Sequence, residues 1–290
     1  MCTALKFNNC MGRNYDYEKS FKEEIILTHK NEVGNRHEII GIGSGLIADY
    51  PMYYDAMNDK GLCAAGLAFT NNAVYHDPIK EAINVPAYNV IPYILGNYNS
   101  VDDFMNYLLS EEFNIIGENY NDIDSAALHW LVCDKCEAIT IESTKEGTRI
   151  YENEIGVLTN NPPFEQMSAE YYMFKLNPEY PSAEMYESRG TETYGLPGGY
   201  TSLERFIKSA YVKDRIARSG RFSDIAGTYH ALQGVEQPYG VTPVGEKYEY
   251  TIYSAVYDMD NLDLHVRTYP SQAYEIIRGF GSADVNRWEI

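Results

Sequence analysis

The chain has 290 residues, 44% hydrophobic and 22% charged, which is enough to bury a sizeable core and typical of a soluble globular protein. Against 23 Lys and Arg stand 42 Asp and Glu, and the formal net charge of -19 repels phosphate backbones, so nucleic acid is not an expected partner. The same charge slows the approach of an anionic substrate unless local cations such as Arg13 and Arg205 overcome it.

No segment stays apolar long enough to span a bilayer, and the first residues lack a basic region followed by an apolar stretch, so a cytoplasmic protein is expected. No linker, repeat or low-complexity run divides the sequence, which predicts a single domain over residues 1–290.

Early on, Glu24 to Thr28 and Glu38 to Ile42 are short, Ile-rich and bounded by polar or glycine residues, as strands are. A helix follows at Ser100, a plausible N-cap. Asp102 and Asp103 suit its positive end, and Val101, Phe104, Met105, Leu108 and Leu109 form its stripe. Next comes a predicted meander of hairpins: Leu128 to Val132, a turn at Asp134-Lys135, Ala138 to Glu142, Arg149 to Tyr151 and Ile155 to Thr159.

Thr201 with Glu204 forms a capping box for a second helix, with Leu203, Phe206, Ile207, Ala210 and Tyr211 on one face. Another helix is predicted from Ser223 through Ile225, Ala226, Tyr229 and Leu232. The chain then closes on a hairpin, Tyr248 to Tyr257 and Leu262 to Thr268, around Asp260-Asn261. Antiparallel strands with helices grouped between them predict an α+β architecture rather than a doubly wound parallel sheet.

Five cysteines at positions 2, 10, 63, 133 and 136 are an odd number spread unevenly, so they read as thiols rather than a disulfide framework. Cys2 directly follows the initiator Met. Removal of Met1 would place a thiol and an α-amine on one residue. The reference pKa is about 7.7 to 8.0 for the amine and about 8.5 for the thiol, so the amine can take the thiol proton near neutral pH and return it to a leaving amine.

Met1-Cys2-Thr3-Ala4 followed by Gly12-Arg13-Asn14-Tyr15-Asp16 resembles the choloylglycine hydrolase family, which contains conjugated bile salt hydrolases and penicillin V acylases. The resemblance recurs at Asp49-Tyr50-Pro51, Asn58-Asp59-Lys60-Gly61-Leu62, Ala65-Gly66-Leu67, Leu128-His129-Trp130, Gly156 to Pro162, and Gly195-Leu196-Pro197-Gly198 with Arg205-Phe206. It implies a four-layer αββα sandwich of the N-terminal nucleophile hydrolase type, with Cys2 opening a central strand.

The resemblance also implies residue roles. Cys2 matches the nucleophile, Arg13 the arginine beside the thiol, and Asp16 the carboxylate that holds the terminal amine. Asn160 matches the oxyanion-hole amide and Arg205 the second arginine. Ala68 stands where bile salt hydrolases carry Asn and penicillin V acylases commonly carry Tyr. Its backbone N–H would still serve the oxyanion hole, while substrate preference there is open. The segment between Cys2 and Arg13 is shorter than in the family, so a tight first hairpin is expected. Ser188-Arg189-Gly190 falls where the family has a substrate-selecting loop and suggests glycine conjugates.

The implied activity is hydrolysis of the linear amide of conjugated bile salts, a small-molecule substrate, with no metal or organic cofactor. Penicillin V or an N-acyl homoserine lactone is the alternative acyl amide, and a non-catalytic binding protein is a third reading. A homotetramer is implied, with activity that depends on reductant.

Simpler readings accompany several of these residues. By periodicity Arg205 lies opposite its helix's apolar stripe, a solvated face shared with Ser209 and Lys213, and Arg13 with Asp16 would pass as a surface ion pair. Cys133 and Cys136 have metal-site spacing but no second pair to complete four ligands. Gly41-Ile42-Gly43-Ser44-Gly45 lacks a phosphate-loop Lys and reads as a bending strand end. Tyr15, Tyr53 and Tyr54 are candidates to line an acyl pocket, although core packing accounts for tyrosines equally well.

Overall fold

The computed structural model describes residues 1–44, 50–176, 193–278, 280 and 287–289. Asp49, Gly45 and Ser188-Arg189-Gly190 lie outside the described residues.

Two antiparallel sheets carry the fold. The first runs in the order Val157–Leu158, Cys2–Phe7, Cys10–Tyr17, Lys247–Asp258, Asp263–Thr268, Tyr274–Arg278, with Thr242–Val244 added to Lys247–Asp258. The second runs Gly147–Glu152, Ala138–Thr144, Leu128–Cys133, Cys63–Ala68, Tyr53–Asn58, Ile39–Ser44, Glu23–Thr28, Arg287–Glu289. The described helices are α1 (Val90–Asn97), α2 (Val101–Tyr107), α3 (Phe164–Leu176), α4 (Ser202–Ser219) and α5 (Asp224–Gln233).

Strand alternation sorts these elements into layers. Along Cys2–Phe7, Leu5 and Phe7 face α4 and α5, while Cys2 and Ala4 face the second sheet, together with Tyr15 and Arg13 opposite them in register. The other face of the second sheet, with Ile39, Ala56, Ala64, Trp130, Val132 and Ile141, packs under α1 and α2. The result is the αββα sandwich expected from the sequence. Two apolar clusters fill it, a larger one between the sheets and under α3, α4 and α5, and a smaller one under α1 and α2. Among the described residues no helix is long and apolar enough to cross a membrane.

Local chemistry fixes the elements that hold the site. The pairing Phe7↔Cys10 leaves only Asn8 and Asn9 in the first turn, and Asn8 takes φ 47°, which Asn tolerates better than most residues. α5 crosses so near Cys10–Tyr17 that a Cβ on Gly12 would stand 2.4 Å from the Thr228 methyl. The capping box of α4 is present, with Thr201 accepting from Glu204 N, and Ser100 and Ser223 cap α2 and α5 as predicted.

Two expectations need correction. α2 ends at Tyr107, so Leu109 is 85% exposed rather than part of its stripe. The predicted last strand of the meander contracts to Val157–Leu158 and leaves the meander, pairing with Cys2–Phe7 in the other sheet through Ala4↔Leu158. Gly156, at φ 63°, turns the chain across, and Asn153 secures the turn by accepting from Gly156 N at 2.8 Å. The glycines of Gly41 to Gly43 bring two strands together: a Cβ on Gly41 would lie 2.4 Å from that of Ala56. Cys133 is buried and Cys136 exposed, so that pair does not share a face.

Candidate active site

The crossing of Val157–Leu158 delivers Asn160 to the head of the first strand. Cys2 N donates to Asn160 Oδ1 at 2.8 Å, and Cys2 itself is 4% exposed between the sheets. With Met1 in place the Cys2 nitrogen is a peptide amide and has no lone pair free to act as a base. The Met1 ammonium is held instead, 2.8 Å from Asp16 O and 2.6 Å from Glu249 Oε1. The Cys2 thiol also points toward Asp16 O, at 4.0 Å.

Asn160 is engaged on both ends of its amide. Oδ1 accepts from Cys2 N and from Arg205 Nη2 at 2.7 Å, while Nδ2 donates to Ala68 O at 2.8 Å and keeps a second hydrogen. Ala68 pairs with Leu128, and Phe69 N donates to Ala127 O, so Ala68 occupies a non-hydrogen-bonded position of the ladder. Its N–H therefore points away from the Leu128 strand, to the same side as the carbonyl that Asn160 occupies. The Asn160 side chain thus bridges the Cys2 backbone and Ala68, with the Ala68 N–H turned to the same side as the bridged carbonyl.

Arg205 is fully buried, against the solvated face that periodicity suggests. Ser202, Arg205 and Ser209 form a second, polar stripe on α4, turned to the first strand and to the Asn160 loop. Arg205 donates to Cys2 O at 2.5 Å, Thr3 Oγ1 at 2.7 Å and Tyr200 O at 2.9 Å, besides Asn160. Burial holds its pKa below the usual arginine value, opposed chiefly by Asp16, whose carboxylate lies 3.9 Å away.

Asp16 is buried too, and not in the surface pair with Arg13 that was the simpler reading. Thr251 Oγ1 donates to it at 2.6 Å and Gln237 Nε2 at 2.8 Å. Arg13 reaches the second sheet instead, donating through Nη2 to Gly66 O at 2.7 Å, with Nε 3.7 Å from Asp55 Oδ2. Burial disfavours its cation, but the negative charges of Cys2 and Asp55 outweigh that and raise its pKa. Asp55 is in turn held by Tyr253 at 2.5 Å and Tyr257 at 2.6 Å, and burial pushes its carboxyl upward against those partners.

Tyr15 is 8% exposed, stacked between Tyr54 at 4.7 Å and Tyr253 at 5.2 Å between ring centroids. Tyr53, on the other face of its strand, belongs to the cluster under α1 and stands apart from Cys2. Sequence reasoning missed Asp55, Gln237, Glu249 and Thr251. Asp55 carried a signal, as an acid on the inward face of a strand otherwise apolar there; Gln237 carried none.

Residues 2–278 match the profile of the family described as linear amide C-N hydrolases, choloylglycine hydrolase family. The chain belongs to that family. Members are hydrolases of linear amides, and this chain is an enzyme of that type. It is 37% identical to a bile salt hydrolase/transferase of Lactiplantibacillus plantarum, covering 93% of this chain and 89% of the relative. The crystal structure of the mutant C2A conjugated bile acid hydrolase from Clostridium perfringens superposes with a TM-score of 0.89 at 28% identity, over 100% of this chain and 96% of that one. Penicillin V acylase from Agrobacterium tumefaciens shares the fold, with a TM-score of 0.74 at 18% identity over 95% and 86% of the two chains.

Proposed function

We propose that the chain, once Met1 is removed, hydrolyses the linear amide of conjugated bile salts to free bile acid and glycine or taurine. The observation that carries this reading is the Asn160 side chain bridging Cys2 N and Ala68 O, in a chain 37% identical to a relative named as a bile salt hydrolase/transferase.

The Cys2 thiol passes its proton to the Cys2 α-amine and the sulfur attacks the amide carbonyl carbon, with Arg13 supplying positive charge nearby. Asn160 Nδ2 and the N–H of Ala68 receive the developing oxyanion. The α-ammonium returns the proton to the departing nitrogen, the C–N bond breaks, and a thioester remains. Water, deprotonated by the same amine, resolves it. Asp16 and Arg205 hold the N-terminal residue in place, and Tyr15 contributes to the wall beside it. We read the protein as one domain, cytoplasmic and homotetrameric, on the strength of the family resemblance; light scattering tests the assembly.

Released amine measured with glycocholate, taurocholate and phenoxymethylpenicillin tests the substrate. Turnover of the bile salts is expected, and turnover of the penicillin alone overturns the reading. Cys2→Ser is expected to lose nearly all hydrolysis with its melting temperature unchanged, and appreciable turnover by that variant counts against the mechanism.

A further inference from the structure

Behind the two oxyanion donors lies a buried His–Glu pair with no part in the mechanism above. His129 Nδ1 stands 2.9 Å from Glu142 Oε1, and the two side chains are 0% and 1% exposed. His129 Nε2 stands 2.8 Å from Thr159 O. A carbonyl oxygen only accepts, so Nε2 donates there, and the Nδ1–Oε1 contact shares a further proton between ring and carboxylate.

The pair grips the Asn160 loop at both ends. His129 fixes Thr159, the residue before Asn160. Glu142 Oε1 accepts from Phe164 N at 3.0 Å, at the start of α3. The other oxyanion donor is braced by the same ring, since Phe69, which follows Ala68, stacks on His129 at 4.3 Å with an interplanar angle of 7°. One imidazole therefore touches the chain neighbour of each donor without itself reaching Cys2.

Stability alone is a poor reason for this arrangement. Glu142 Oε2 is buried without a hydrogen-bond partner, and apolar residues of similar volume often replace a buried ion pair at no cost. What the pair supplies is geometry. We propose that His129, seated by Glu142, is a positioning residue that sets the spacing between Asn160 Nδ2 and the N–H of Ala68, and so the fit of the oxyanion hole to a tetrahedral oxygen. This rests on the reading of those two groups as oxyanion donors.

The test uses Glu142→Gln, which keeps the size of the side chain, and Phe69→Leu, which removes the stacked ring from the other side. Turnover is counted per Cys2 thiol labelled with iodoacetamide, on a bile-salt amide and on its thioamide analogue. A hole fitted to oxygen discriminates against the larger, poorer acceptor sulfur. In both variants kcat per labelled site on the amide is expected to fall about 10- to 100-fold with KM within about twofold, and the amide-to-thioamide ratio to fall with it. Unchanged kcat per site and an unchanged ratio, even with a lowered melting temperature, overturn the proposal. Should Glu142→Gln fail to fold, Phe69→Leu decides alone. A wild-type protein that turns over no linear amide would instead overturn the reading of Asn160 and Ala68 on which the proposal stands.

Discussion

Arg13 and Arg205 bring the same group to the same site and are buried alike, at 1% and 0% exposure, yet they are held in different ways. Arg205 sends its donors to Cys2 O, Thr3, Tyr200 O and Asn160, four points on three separate stretches of chain. Arg13 donates to Gly66 O, while its Nε and Nη1 have no hydrogen-bond partner. Arg205 is thus a clamp with its donors in use, and Arg13 is a charge with donors in reserve beside the sulfur. Equal burial does not imply equal work.

The largest break in that comparison is Arg205→Ala. It leaves the buried Asp16 carboxylate without its neighbouring cation and Asn160 Oδ1 with one donor fewer, so about 3–5 kcal/mol of stability should go, and activity with it. Urea unfolding measures this, and a loss under about 1 kcal/mol would show that the clamp is not one.

Arg13→Gln should be milder in stability and specific in chemistry. Alkylation of Cys2 at neutral pH should slow several-fold, because the nearby cation is gone. The stability cost should depend on pH. Burial already raises the Asp55 carboxyl, and without Arg13 it rises further. A carboxyl raised in the fold contributes stability below its unfolded value near pH 4 and loses it as pH climbs through the folded value. The variant should therefore lie closer to wild type at pH 5 than at pH 8 in paired unfolding curves, and a parallel offset would refute the assignment.

The smallest effect sharpens the comparison on one helix. Lys213, two turns along α4 from Arg205, has its amine pushed down to about 8 by burial, with Lys6 adding to the shift and Asp214 opposing it. A depressed lysine favours the fold above its unfolded value and loses that contribution as pH falls through 8. Since the side chain is half-buried and partly solvated, Lys213→Met is expected to gain only about 1 kcal/mol at pH 7. It should also flatten the rise in stability between pH 8 and 10, which a melting series would detect.

Most elements were legible because their signals are local. Ser100, Thr201 and Ser223 cap helices by bonding three residues ahead, and Leu262, Leu264 and Val266 alternate with Asp263, His265 and Arg267 within their own span. What escaped was set by distant chain. Val157–Leu158 is two residues long, and nothing near it says that its partner is Cys2–Phe7 rather than the preceding hairpin. Periodicity found the apolar face of α4 but treated the rest as solvent-facing, although a polar stripe can be buried when carbonyls and amides from elsewhere meet it. Cys2, Arg13, Asp16, Asn160 and Arg205 were named through resemblance, and the structure brings them together. Thr251, Gln237 and Glu249, which hold Asp16 and Met1, had no comparable mark.

The short Val157–Leu158 crossing has a kinetic consequence. Asn160 meets Cys2 across 158 positions of chain, Arg205 meets it across 203, and Thr251 meets Asp16 across 235. Contacts of such sequence separation form late and slowly, after shorter loops have closed. Competence should therefore emerge only at the end of folding, making catalysis itself a stopwatch for the last docking event.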